Sequence, residues 1–502
     1  MSWLVDQPGE KYTIRFRDPI EAIKSLWKDP ELSPTMVFRP AKMYSDKEKK
    51  NCIFSEMWTS KWWHVCQVCV SKLPLGATMA PVIIATDKTQ LTQFSGSKSA
   101  YPIYLTIGNI PKAICHKPSK KACILIGYLS INKIDRKDLT ECARRSKVQR
   151  LFHESMQIIL EPLIMAGNTR VEMVSADGAV HLVFPILSCY VVDYPEQCLV
   201  MCLKYGTCVK CKAKVTELQD PQPKDPRSQK WTEDIFKEAQ SIAGQNSHAF
   251  YDHCMSQEVA GGVPKPFWTV ITPDVLHQLY QGILKHLIAW CQSILTPEQL
   301  DEHICCLPHG LRLRQFKNGL SALSQISGPE RKNMVKILLG CLIGAIPTMG
   351  IAAITALLDF IYIAQYKTHN METLGYLQGT LDRFHTHKDY FRQTGIREDF
   401  NIPKFHSLTH YIESIKLFGT TDNYNTETFE RLHIDFAKLG WRASNHRDEF
   451  PQMICWLSRQ EKIAGFEAYQ KEILTSGTEV DPLLLFMKSM MHLILNITSN
   501  ST

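Results

Sequence analysis

The sequence predicts a mixed α/β protein, with a sheet-bearing first part and a mainly helical second part. Three observations carry this. Short apolar runs rich in Val and Ile, bounded by polar turn residues, recur between positions 79 and 193. One long stretch among them has helical apolar spacing instead. From Pro273 onward, segment after segment repeats apolar residues three and four apart. At 502 residues the chain is long enough for two or three structural units of roughly 100–200 residues each. Its 44% hydrophobic and 21% charged composition excludes wholesale disorder, collagen and coiled coil.

Residues 1–55, with Pro34, Pro40 and a charged run at 46–50, read as a loosely packed N-terminal segment. Met79–Ala85, Ile103–Ile107 and Ala122–Leu129 read as strands. Arg144–Met165 reads as a helix, with apolar residues at 148, 151, 152, 156, 159, 160 and 163. Val171–Ser175 and Ala179–Leu187 flank Ala176-Asp177-Gly178, the pattern of a hairpin. Cys189–Asp193 is one more apolar run, again ending on an acid. Pro221, Pro223 and Pro226 mark 217–265 as a linker or surface insertion. The helices expected after it are Asp274–Leu295, Pro329–Ala345, Ile351–Tyr366, Met371–Arg392, His406–Phe418, Thr426–Ala437 and Pro451–Gln470. The units expected are 1–55, 56–216, 217–265, 266–400, 401–475 and a divergent tail, 476–502.

Ile337–Ala364 is apolar enough to suggest a membrane span, but Pro347 and Gly350 divide it into two lengths suited to buried helices. Pro482–Ile497 is too short to span. No membrane partner is expected. The 17 cysteines form no secreted framework, and the first residues lack a basic and apolar leader, so reduced thiols in cytosol or nucleus are expected. The chain has no P-loop, no G-x-S-x-G and no dinucleotide fingerprint, which removes the sequence warrant for those enzyme classes.

The net charge of +7 is uneven. Ten Lys/Arg and three acids lie between His116 and Arg150, so this window holds the whole excess. Lys117, Lys120, Lys121, Arg144, Arg145, Lys147 and Arg150 are therefore candidates for contact with a polyanion; a solvated face is the plainer reading of the same charges.

Asp87 closes a buried-type strand run, and Asp193 closes another. Either alone is good turn chemistry. Glu427 and Glu430 stand three apart at a helix start, where acids also complement the helix dipole. Together, two strand-end aspartates and a distant helix glutamate are what two-metal phosphoryl transfer requires, because Mg²⁺ prefers hard oxygen ligands and a pair of ions serves both the attacking and leaving oxygens. Cys208-Val-Lys-Cys211 and His406-Ser-Leu-Thr-His410 offer the thiol and imidazole spacings of a tetrahedral structural zinc site. Cys66 and Cys69 share the first spacing without a paired half nearby. Asp274 opens a helix after Pro273, with Thr272 as the expected N-cap; His277 either belongs to this helix start or approaches the carboxylates.

Several strings resemble the Plavaka transposases, CACTA-like cut-and-paste enzymes of mushroom-forming fungi. They are PVIIATDKTQLTQFSGSKSAYPIYLTIGNIPK (81–112), VVDYPEQ and GTCVKC (191–211), ITPDVLHQLYQGILKHLIAWC (271–291), FKNGLSALSQISGPERKNMVKILLG (316–340) and KFHSLTHYIESIKLFGTTDNYNTETFERLHIDFAK (404–438). The resemblance covers about 50–465. It implies a ribonuclease H-like DDE/D core interrupted by a large helical insertion. It further implies DNA cleavage and strand transfer with Mg²⁺ or Mn²⁺, a structural Zn²⁺, double-stranded DNA at transposon ends and targets as partner, possible homo-oligomers, and a nuclear location. Carried residue by residue, the acids fall on Asp87, Asp193 and Glu430, with Glu427 the alternative third. The zinc halves fall on Cys208, Cys211, His406 and His410, and the family's Asp-x2-His element on Asp274 and His277. The sequence departs from the family in lacking an N-terminal zinc-finger region, in a shortened stretch between Trp268 and Thr272, and in the tail. These departures support an alternative expectation, a truncated or co-opted DNA-binding remnant without catalysis.

Overall fold

Seven strands form one hydrogen-bonded series. In chain order they are β1 (Ser2–Leu4), β2 (Tyr12–Phe16), β3 (Ala77–Thr86), β4 (Pro102–Ile107), β5 (Ile124–Tyr128), β6 (Val171–Val174) and β7 (Val180–Val191), and across the sheet they run β1-β2-β5-β4-β3-β7-β6. The computed structural model describes residues 2–4, 11–70, 77–92, 98–132, 134, 140–243, 247–260, 270–311, 313–323 and 326–475. The divergent tail, Trp268 and Thr269 of the shortened stretch before Thr272, and Lys133, Arg136 and Lys137 of the basic window lie outside the described residues.

β4 lies antiparallel to both β3 and β5, whereas β7 lies parallel to β3. The parallel pairing needs a crossover, and helix α2 (Glu141–Thr169) supplies it. Thr140 caps α2 through its side chain. The alternation of β3 divides the sheet's two faces. Val82 and Ile84 pack with Ile103 and Leu105 against helix α1 (Pro19–Lys28) and against Phe152, Met156 and Ile159 of α2. On the opposite face, the Tyr104 ring meets Phe429, their centroids 6.4 Å apart.

Three sequence expectations need correction here. The N-terminal segment is part of the core: Ile14, Ile23 and Trp27 are fully buried, because β2 extends the sheet beyond β5 and α1 covers it. Cys189–Asp193 is no separate run; β7 continues through a bulge at Ser188, whose hydroxyl donates to the Val82 carbonyl at 2.7 Å. Residues 217–265 are no mere linker. Helices α4 (Gln229–Ala243) and α5 (Ser247–Ser256) bury Ile235, Phe236, Ala239 and Cys254 in the sheet's own core. The prolines that suggested a linker all precede α4.

A second core is helical. It combines α6 (Leu284–Ile294), α7 (Gly328–Leu342), α8 (Thr348–Ile363), α9 (Met371–His387) and α10 (Tyr411–Phe418). The apolar stretch 337–364 is indeed two helices, broken where Gly344 takes φ +83° and Pro347 starts α8. Among the described residues no helix is long and apolar enough to cross a membrane. Asp274, rather than Thr272, caps the helix that follows it; the Thr272 hydroxyl is buried without a hydrogen-bond partner. That helix is π-wound over Val275–Ile283 before it becomes α6, a widening associated with functional sites.

Helix α11 (Thr426–His433) ends the first of two compact units, residues 1–433; the second is 434–502. Within the second unit a π-wound segment, Ile434–Lys438, leads through Leu439–Arg442 to α12 (Glu449–Thr475), and Trp441 stacks on His446 with centroids 4.3 Å apart.

Candidate active site and metal centre

The register of β3 and β7 places two acids together. Ala85 pairs with Val191, so Asp87 and Asp193, each two residues further on, emerge at the same end of adjacent parallel strands. Asp193 caps helix α3 (Tyr194–Val200), accepting from the Glu196 amide at 3.1 Å. Burial raises its pKa, and the charges of Asp87 and Asp274 add to the rise; the Glu196 amide and His277 oppose it.

Asp274 is buried and fixed by three donors. The amides of Leu276 and His277 reach it at 3.0 and 3.1 Å, and the Thr426 hydroxyl at 2.5 Å. Its Oδ2 accepts from His277 Nδ1 at 2.7 Å, while His277 Nε2 donates to Glu430 Oε1 at 3.0 Å. Burial alone would lower the His277 pKa, but the hydrogen bonds and charges of Asp274 and Glu430 outweigh it and carry the value to about 11. His277 therefore does more than start a helix: as an imidazolium it bridges two carboxylates from distant parts of the chain. Glu427 points elsewhere, paired with Lys332 of α7. Of the two alternatives on α11, Glu430 is the one at the acidic cluster.

His433 was not singled out in the sequence. It lies one turn after Glu430 on the same face of α11. Its Nε2 donates to Asp87 Oδ2 at 3.0 Å, and its Nδ1 accepts from the Tyr104 hydroxyl at 2.8 Å. A signal was present: Glu430-x2-His433 repeats the acid-x2-His spacing of Asp274-x2-His277. Glu196 was also missed. It is buried below the aspartates, accepting from the hydroxyls of Thr86 and Tyr101, and burial raises its pKa to about 8.

The thiol and imidazole halves come together. The ligand atoms of Cys208, Cys211, His406 and His410 all lie within 4.8 Å of one another and are buried. Among the described residues this is the one such group of three or more. Cys208 Sγ is 3.2 Å from His410 Nε2, and Cys211 Sγ is 3.1 Å from His406 Nε2. The amides of Lys210 and Cys211 point at Cys208 Sγ from 3.4 and 3.3 Å, as a knuckle presents them to a thiolate. Gly206, at φ +98°, makes the turn into the knuckle. His406 Nδ1 faces the Leu218 carbonyl at 3.2 Å, which aims its other nitrogen at the cluster. Arg227 braces the loop by donating to the carbonyls of Cys208 and Cys211, both at 2.9 Å, and pairs with Glu258 at 3.0 Å. Two sulfur and two imidazole donors form the set that a tetrahedral metal takes, so this cluster can hold one. Cys66, on the helix Lys61–Val70, is not part of it.

The basic window divides. β4 runs antiparallel to β3, so the turn carrying Lys117, Lys120 and Lys121 lies at the sheet end opposite Asp87. Lys120 is paired there with Glu31 at 2.9 Å. Arg144 and Arg145 sit on the first turns of α2, both engaged by Glu141, and Arg150 faces Glu154 at 4.0 Å. Lys147 is not on the surface: it is 7% exposed, with its ammonium 5.9 Å from the Tyr12 ring centroid. Burying its aliphatic stem against β2 is what removes it from any phosphate-binding face.

A family model described as Plavaka transposase matches residues 5–291. No curated protein matches the chain.

Proposed function

Because the chain belongs to the Plavaka transposase family, we propose that it cuts and joins DNA at the sheet end that carries Asp87 and Asp193, on a ribonuclease H-like core. Membership of the family implies DNA binding. The observation that carries the catalytic reading is the pairing of Ala85 with Val191, which brings both aspartates to one strand end; it is supported by α11, whose His433 bonds Asp87 and whose Glu430 is bonded by His277, the partner of Asp274. Three antiparallel strands, a crossover helix and a parallel fourth strand also support a ribonuclease H-like reading.

Asp87, Asp193 and Glu430 are the hard oxygen donors that would hold Mg²⁺ or Mn²⁺, and the raised pKa of Asp193 fits a site built for added positive charge. Bound there, a metal pair supplies an activated attacking oxygen and stabilises the leaving one. The protein's own part is positioning. Asp274 orients His277, His277 holds Glu430, and the Tyr104–His433 pair holds Asp87. Cys208, Cys211, His406 and His410 would hold Zn²⁺ as a structural clip between the sheet core and the chain returning from the insertion.

The test is nicking of a transposon-end duplex in Mg²⁺ or Mn²⁺. Asp87→Asn, Asp193→Asn and Glu430→Gln should each lose nicking while retaining duplex binding. Nicking equal to wild type in all three would remove these residues from the chemistry. One observation favours a second reading, a DNA-binding protein without catalysis: His277 and His433 already occupy Glu430 and Asp87. Duplex binding with no cleavage in either metal would select that reading.

A further inference from the structure

The basic window carries the net charge of the sequence, yet its described arginines and Lys120 have acidic neighbours or bonds. Three cations elsewhere do not. Lys285 of α6, Arg331 of α7 and Lys404 of the short helix Pro403–His406 have no carboxylate in an ion pair with them among the described residues. Lys404 is within electrostatic reach of both of the others. Lys404 lies at a border of charge: Asp274 and Asp193 act on it from one side, and the like charges of Lys285 and Arg331 from the other. Its ammonium donates to the His277 carbonyl at 2.9 Å, so it stands directly behind the histidine that holds Glu430. The stem passes over Gly282, where an added Cβ would come within 2.5 Å of Lys404 Cδ. A side chain at this position would require the lysine stem to shift.

Arg331 adds an independent sign. Its Nε is buried and has no hydrogen-bond partner. A buried guanidinium nitrogen without a partner is costly in the free protein, and a donor of this kind asks for an acceptor from outside. The flanking Lys332 is different, because Glu427 neutralises it. Uncompensated charge on the helical insertion thus reaches the acidic cluster through Lys404, which bonds the His277 carbonyl. A strand whose phosphodiester is delivered to the carboxylates must continue past them. Its next phosphates are anionic, accept several hydrogen bonds each, and match an arginine fork.

We propose that Lys285, Arg331 and Lys404 form a phosphate-gripping face on the helical insertion that holds the DNA backbone next to the carboxylate cluster, the role the sequence suggested for residues 116–150. This rests on the reading of Asp87, Asp193 and Glu430 as the cutting site. The partner is a DNA strand recognised through its backbone, without base specificity.

The test measures binding of the full chain to short labelled duplexes of unrelated sequence across a salt series, without added divalent metal. Lys285→Gln with Arg331→Gln should weaken binding equally for all duplexes and lower the salt slope by about 1.8, from about 0.9 per lost phosphate contact. The charge-preserving pair Lys285→Arg with Arg331→Lys should keep the slope. If the double variant does not fold, Lys285→Gln alone, at an exposed position, should still lower the slope by about 0.9. An unchanged slope overturns the proposal, as does a slope loss found only in Lys117→Gln with Lys121→Gln. Nicking by the wild type separates the two layers. A lowered slope without any nicking keeps the gripping face and removes the cutting reading. Nicking with an unchanged slope does the reverse.

Discussion

Replacing Cys211 by Ser tests the Cys208, Cys211, His406, His410 cluster as a metal clip. The clip joins positions far apart in the chain: Cys211 meets His406 195 residues later. Treated as a cross-link, closing a loop of that length removes about 5 kcal/mol of conformational freedom from the unfolded chain. The unit that contains it, residues 1–433, is large. At about 2 cal/mol/K of unfolding entropy per residue, such a loss lowers Tm by about 5 °C. Differential scanning calorimetry reads the shift, and elemental analysis reads the metal. Wild type should carry stoichiometric zinc, Cys211→Ser should carry none, and a strong chelator should bring wild type down to the variant's Tm. Cys455→Ser, which removes an exposed thiol in the other unit, should change neither. Wild-type protein free of metal, or a Tm indifferent to both chelator and substitution, would refute the reasoning.

Three further outcomes follow from the geometry. His433→Ala should raise the divalent metal concentration needed for nicking by about 10–100-fold, the usual cost of losing a group that orients a ligand, with duplex affinity unchanged; a shift in affinity alone would make His433 structural. Glu196→Gln should change the pH dependence of stability. The folded pKa of Glu196 is about 8 against 4.5 ordinarily, so as pH rises between those values the unfolded chain ionises first and the fold loses stability. The neutral amide should flatten that decline in a pH series of denaturant melts, and a parallel decline in both proteins would contradict it. Arg227→Met leaves Glu258 and two knuckle carbonyls without their donor, and should destabilise by about 3–5 kcal/mol in the same assay. A loss below about 1 kcal/mol would show that solvent replaces it.

The strand ends were legible because each apolar run stops on a turn residue, and that sufficed to find Asp87 and Asp193. The four metal-cluster residues were legible because their spacings are local even though their meeting is not. Trp27 and Ile23 were missed as core because prolines and a charged run nearby masked the helix between them, whose value comes only from the sheet it covers. The π-wound turn after Asp274 was invisible because its apolar spacing over so few residues is that of an α-helix. His433 escaped because nothing local ties it to Asp87. The charge count misled for a related reason: it locates lysines and arginines, and only the fold tells which of them, such as Arg144 beside Glu141, are already engaged.

Asp87 and His433 stand 346 residues apart, with Glu430 just before the second of them. A ribosome needs roughly 20–70 s to cover that interval at about 5–20 residues per second. Throughout that time the nascent chain has both aspartates, folded or not, and lacks the glutamate and histidine that complete the cluster. Any chain that stops before Glu430 has the same incomplete set. On the proposed cutting reading, the order of residues along the chain therefore makes cleavage the last capacity to be completed, since only a chain synthesised through its last site helix has all the proposed parts.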